Sequence, residues 1–185
     1  MHDSARSSRR ERSAWGWYPL REEWARRIVA AAGVARGDLV LDVGAGTGAL
    51  TVPLLDAGAH VVAVELHPQR LAALRELASS RRRLTVVRAD AADLRLPRRP
   101  FRVVANPPFG ITSPLVARLL APGSRLLAAD LVLQRAAAQR WADGRAPGAG
   151  RWARTFEASV GLSIPRHAFR PAPPVDITTL HIRRR

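Results

Sequence analysis

The chain has 185 residues, 47% of them hydrophobic, and a formal net charge of +15. No apolar run approaches the roughly 20 residues of a membrane span. The charged N-terminus lacks the apolar core of a signal peptide, and the absence of cysteine removes disulfides and thiolate metal sites. This composition suits one domain with a full core; a cytoplasmic monomer with no metal is expected. Every basic residue other than histidine is arginine, and basic residues number 30 against 15 acidic. Base-composition bias would exchange Lys for Arg, but would not leave two basic residues for each acidic one. The excess points to a polyanion, above all nucleic acid.

Residues 1–14 read as a flexible basic arm rich in Ser and Arg, and residues 15–185 as the single domain. Trp15, Trp17 and Tyr18 crowd the start of that domain, too close together to be all core, so one or two of them line a cleft. A helix is expected over 22–32, with Trp24, Ile28 and Ala31 or Ala32 on one face, stopped by Gly33. The apolar run 39–43 reads as a buried parallel strand. It runs into Gly44, Gly46 and Gly48, where a backbone without Cβ can press against a ligand. A helix over 49–55 and a strand over 60–64 ending in Glu65 complete a βαβ nucleotide-binding pattern. Glu65 falls about 20 residues past the first glycine, where ribose hydroxyls are met.

Further along, a helix over 69–78 turns Leu71, Leu74 and Leu77 inward, and Arg81-Arg82-Arg83 forms a basic connector. A strand over 84–90 ends in Asp90, at the strand end where open α/β sheets bind ligands; Asp93 reads as a turn cap. The strand 101–105 leads into Asn106-Pro107-Pro108-Phe109. Two prolines remove two N–H donors and leave the carbonyls. With the side-chain carbonyl of Asn106, these can accept both hydrogens of an exocyclic amine, and Phe109 offers a flat face to a base. Beyond it come a helix (111–120), a strand (126–133), a helix (134–141), a mobile Gly/Pro/Ala loop (143–150) and a strand (155–164). A proline-stiffened segment (166–175) and a final strand (177–182) follow. His167 and His181 stand alone and read as surface or partly buried imidazoles.

The glycines read G-x-G-x-G after Asp42, rather than the dinucleotide G-x-G-x-x-G. That pattern resembles the first motif of S-adenosylmethionine-dependent methyltransferases. Together with Val64-Glu65, Ala89-Asp90, Asn106 to Phe109 and Phe169 to Leu180, the chain resembles the Erm-type ribosomal RNA adenine N6-methyltransferases. It is more distantly similar to the small-subunit dimethyladenosine transferases. The Trp-Gly-Trp-Tyr start and Asn-Pro-Pro-Phe-Gly look most like short mycobacterial and actinobacterial Erm proteins. The resemblance implies an α/β, class I methyltransferase (Rossmann-like) fold with a seven-stranded, mostly parallel sheet. It implies S-adenosylmethionine as donor, an adenine of 23S rRNA near the peptidyl-transferase centre as acceptor, and resistance to macrolides, lincosamides and streptogramin B.

By the same resemblance, Gly44 and Gly46 touch the cofactor, Glu65 its ribose and Asp90 its adenine. Asn106 and the Pro107 carbonyl orient the target amine, Phe109 stacks on the base and Phe169 closes over it. Tyr18 and Leu20 stand where the family carries a different cofactor-contacting motif. The family's helical C-terminal domain is not expected, since Arg183-Arg184-Arg185 follow the last strand. RNA binding would then rest on the catalytic domain, the basic arm and the surface arginines, with a broader choice among neighbouring adenines. Methylation of small-subunit rRNA, DNA adenine or protein glutamine, and an inactive RNA-binding protein, are the alternatives.

Overall fold

The computed structural model describes residues 18–185. Trp15, Trp17, the basic arm and the expected domain boundary lie outside the described residues. The first helix, α1 (Glu22–Ala32), ends at Gly33 with φ 61°, and the Gly33 N–H bonds the Ala30 carbonyl at 3.2 Å. The buried stripe is Ala25, Ile28, Val29 and Ala32, which includes the expected Ile28 and Ala32, while Trp24 is only partly buried against it. Small alanines let the helix approach the sheet. The bulky Trp24 ring stays at the rim, under the Arg27 guanidinium at 4.8 Å and edge-on to His167.

The remaining elements are β1 (Leu39–Val43), α2 (Thr51–Asp56), β2 (His60–Glu65), α3 (Pro68–Ser79), β3 (Leu84–Arg88), β4 (Phe101–Ala105), α4 (Thr112–Leu119), β5 (Leu126–Gln134), α5 (Arg135–Ala142), α6 (Ala149–Trp152), β6 (Phe156–Ile164) and β7 (Ile177–Arg184). They build one seven-stranded sheet in the order β3-β2-β1-β4-β5-β7-β6. β1 to β5 are parallel, and β7 lies antiparallel between β5 and β6. This is the class I methyltransferase fold that the sequence predicts. Strand order reverses between β1 and β4, and ligands of open α/β sheets bind at that switch point.

Each face of the sheet has its own core. Leu115, Leu119 and Trp141 cover one face through α4 and α5. Ile28, Leu54 and Leu74 cover the other through α1, α2 and α3. The parallel strands are buried on both faces, so Val40, Val43, Val103 and Val104 are all inaccessible to solvent.

The expected loop over 143–150 is turn and irregular backbone up to residue 148, and α6 takes its last two residues. Trp141 and Trp152 pack with ring centroids 6.0 Å apart, and Ala146 is buried beside them. Paired indoles thus fix a segment whose Gly and Pro content reads as loop. His181, isolated in the sequence, bonds the buried Asp130 through Nδ1. Arg183 donates to both oxygens of the same carboxylate, at 3.0 and 3.1 Å. The cross-strand pairing of Asp130 with His181 brings them together from 51 residues apart. Among the described residues no helix is long and apolar enough to cross a membrane.

Candidate active site

The glycine turn leaves the carboxyl end of β1 with positive φ at Gly44 (73°), Gly46 (60°) and Gly48 (99°). At Gly44 the requirement is also spatial. A Cβ there would lie 3.0 Å from Pro108 Cδ, 3.4 Å from Pro107 Cα and 3.8 Å from the Asn106 carbonyl oxygen. The β1–β4 register sets the glycine turn against the double-proline elbow, and only a residue without a side chain fits between them.

Two carboxylates hold this turn. Asp42 is fully buried and accepts the Thr51 hydroxyl at 2.6 Å. Burial pushes its carboxyl up to about 7; nearby Glu65 adds to the rise, and the Thr51 hydrogen bond opposes it. Glu65 acts first as an anchor of the turn. Its Oε2 accepts the Gly46 N–H at 2.8 Å, and Oε1 accepts the N–H groups of Leu66 and His67, both at 2.9 Å. A carboxylate has about four lone-pair sites, so one remains for a ligand hydroxyl. Arg70, buried on α3, stands near enough to interact with Glu65; burial holds its guanidinium below its usual value while Glu65 pulls it up.

At the elbow, Asn106 Nδ2 donates to the Tyr18 carbonyl at 2.8 Å. A carbonyl partner requires the amide nitrogen on that side, which leaves Oδ1 as the side chain's acceptor. The Tyr18 ring stacks on Phe109, with centroids 5.4 Å apart and planes 24° from parallel. Tyr18 is therefore tied to the elbow twice, through its carbonyl and its ring. A narrow cleft of about 20 Å³ joins the two halves, lined by Asp42, Gly44, Ala45, Leu20, Leu50 and Asn106 among others.

Of the predicted site residues Leu20, Gly44 and Asn106 line this cleft, whereas Tyr18, Gly46, Glu65, Asp90, Pro107, Phe109 and Phe169 do not. Asp90 is exposed, and its carboxylate accepts the Ala92 N–H at 2.9 Å, capping a short 3-10 turn at Ala91–Asp93. The cap the sequence assigns to Asp93 is thus made by Asp90. Phe169 is 2% exposed, packs in the core on the α1 face and forms a β-bridge with Leu20. It supports the cleft wall from behind rather than facing open space. Pro107 is buried beneath the elbow. The sequence reading misses the Glu65 anchor, Arg70 and the exposed Leu66 beside Glu65. Only Leu66, an apolar residue directly after the strand-terminal acid, leaves a visible signal. Among the described residues no group of three or more His, Asp or Glu side chains could hold a metal ion.

Residues 20–185 match the ribosomal RNA adenine dimethylase family. The chain belongs to that family. Dimethylases of this family depend on S-adenosylmethionine, and the site fits that cofactor: a side-chain-free turn, two buried carboxylates and an adjoining cleft at the switch point. A curated relative, the ribosomal RNA small subunit methyltransferase A of Leifsonia xyli subsp. xyli, is 39% identical over 168 residues, 82% of this chain and 58% of the relative. A second, from Magnetococcus marinus, is 37% identical over 85% of this chain and 61% of its own length. The chain thus spans about three fifths of the curated relatives it matches. The crystal structure of the 23S rRNA methyltransferase ErmE superposes with a TM-score of 0.78 and 32% identity, covering 90% of this chain and 69% of that one.

Proposed function

We propose that the protein transfers methyl groups from S-adenosylmethionine to the N6 amine of adenine in 23S rRNA, near the peptidyl-transferase centre, and so confers macrolide-lincosamide-streptogramin B resistance. The observation that carries this reading is the cleft shared by the glycine turn and Asn106. Gly44, Gly46 and Leu20 would hold the cofactor, the free lone pair of Glu65 would take a ribose hydroxyl, and Asp90, whose Oδ1 caps its turn, would offer Oδ2 to the adenine. When bound, the cofactor supplies an electrophilic methyl group.

The protein's own part is orientation. An adenine amine donates its lone pair into the ring and is a poor nucleophile. Asn106 Oδ1 and the Pro107 carbonyl accept its two hydrogens and fix its attitude. Its pyramidal, nucleophilic form is then favoured, and positioning supplies much of the rate. Phe109 supplies a stacking face once the Tyr18 ring slides aside or sandwiches the base from the other side. A base must leave its stack to enter, at a cost of a few kcal/mol.

The large-subunit reading is supported by the ErmE likeness over 90% of this chain and by the Trp-Gly-Trp-Tyr start. A second reading, methylation of small-subunit rRNA, is favoured by the 39% identity to methyltransferase A. Tritiated-methyl transfer to naked 23S rRNA, naked 16S rRNA, 30S subunits and DNA, followed by primer extension, separates them. We expect label on 23S rRNA at more than one neighbouring adenine. Label confined to 16S rRNA or 30S subunits would overturn the 23S assignment, and label on DNA alone would overturn both readings.

A further inference from the structure

The arginines are concentrated away from the cleft. β1 to β6 all run in one direction, so the segments entering them meet at one end of the sheet, where the antiparallel β7 finishes. That end carries Arg82 before β3, Arg36 before β1, Arg98 before β4, Arg125 before β5, Arg185 closing β7 and Arg154 before β6. Each is exposed. The row crosses the whole sheet, six interstrand spacings of about 4.8 Å, or roughly 29 Å.

Acidic partners do not neutralise it. The carboxylates at this end are already engaged: Asp38 with Arg102 at 3.0 Å, Asp56 with Arg81 at 3.3 Å, and Glu157 with Arg185 at 4.0 Å. Among the described residues Arg36, Arg82, Arg98, Arg125 and Arg154 form no ion pair. Two grooves open here, one beside Arg36 and Arg82 (about 480 Å³) and one beside Arg98 and Arg125 (about 520 Å³). Both are larger than the cleft at the opposite end.

The five-residue strand β1 separates these arginines from the glycine turn by about 17 Å at 3.3 Å per residue. They cannot touch the cofactor or a base held at Asn106. Uncompensated like charge in a row raises the free energy of the folded chain unless an anion neutralises it. Guanidinium groups match phosphate in geometry as well as charge.

We infer that the amino-terminal end of the sheet is a second RNA-docking surface. It takes the phosphodiester backbone of an rRNA segment other than the one that carries the target adenine. The inference rests on the rRNA reading and adds where the rest of the substrate lies: folded around the domain, one segment at each end of the strands.

The test uses the full chain carrying Arg82→Ser, Arg98→Ser, Arg125→Ser and Arg154→Ser together, and a companion with lysine at the same four positions. Binding is measured against a long folded 23S transcript and a short hairpin bearing the target adenine, over a salt series. A single phosphate contact at 0.1 M salt is worth close to tenfold by counterion release. With four contacts removed, the serine variant should therefore bind the long transcript about 10³-fold more weakly at 0.1 M salt, with its log–log salt slope reduced by about three. Hairpin binding should stay at the wild-type level, and the lysine variant should recover most of the loss. An unchanged affinity and slope on the long transcript would overturn the inference. So would an equal loss on both RNAs. Should the wild-type protein methylate neither RNA while the binding difference persists, the function reading fails and the docking surface stands.

Discussion

The two ends of one sheet face opposite chemical demands. At the carboxyl end the chain buries carboxylates, offers backbone carbonyls and removes side chains to make room. Asp42, Glu65, Gly44 and the Asn106 elbow all lie there. At the amino end it exposes one arginine after another and leaves most of them without a described carboxylate. A net charge of +15 read from composition alone suggests a uniformly basic protein. The folded chain instead separates buried carboxylates and a proline elbow at one end from a surface of exposed arginines at the other, because parallel strands gather all their exits at one end and all their entries at the other.

Replacing Asn106 with Ala attacks the carboxyl end most directly. Loss of one pre-oriented polar group costs about 10²–10³ in kcat. Methyl transfer should fall by at least that much while calorimetric cofactor binding stays within a few-fold of wild type. Retained transfer would show that the elbow is only a turn. Gly44→Ala should act on both stability and activity. It places a Cβ 3.0 Å from Pro108 Cδ at a φ of 73°, and strained backbone of this kind costs about 1–3 kcal/mol. Urea unfolding should register that loss, whereas Gly123→Ala, with no neighbour near its Cβ, should show only the strain of its own positive φ.

The buried carboxylate predicts a pH dependence that the exposed amino end lacks. Asp42 has an ordinary value of 3.8 and is pushed to about 7 by burial. The folded protein keeps a proton there that the unfolded chain has released. Its contribution to stability is complete below about pH 4 and is lost as the pH rises to about 7, by up to ~1.4 kcal/mol per unit. Asp42→Asn should flatten that part of the stability curve while keeping an acceptor for Thr51. A wild-type curve no steeper than the variant's would contradict the assignment. The smallest effect should come from Tyr18. Tyr18→Phe keeps both the ring and the backbone carbonyl that Asn106 uses. Tyr18→Ala removes the stack on Phe109, worth about 0.5–1.5 kcal/mol, and should alter KM for RNA more than cofactor affinity.

Much of the framework is legible in the sequence, because local chemistry decides it. β1 and β4 begin and end where the apolar runs do, bounded by glycine and proline. The α1 helix stops at Gly33 because only a left-handed residue satisfies its last carbonyls there. What stays hidden depends on distance along the chain. The Asn106 bond to Tyr18 joins residues 88 apart, and no local pattern encodes it. Asp130 and His181 meet through a strand inserted out of order. The spacing brings Glu65 to the site, but its work as the turn's anchor appears only once the Gly46 N–H points at it. α1 shows a subtler limit: periodicity marks an apolar face, yet the small Ala25 rather than the large Trp24 faces the sheet.

The most direct test of the carboxyl end is the identity of the modified nucleoside. The 23S rRNA incubated with cofactor and either wild-type protein or Asn106→Ala is digested to nucleosides and resolved by mass spectrometry. N6-methylated adenosine with the wild type, and none above background with the variant, is the expected result. A methyl group on any other nucleoside, or the same yield from Asn106→Ala, would contradict the account.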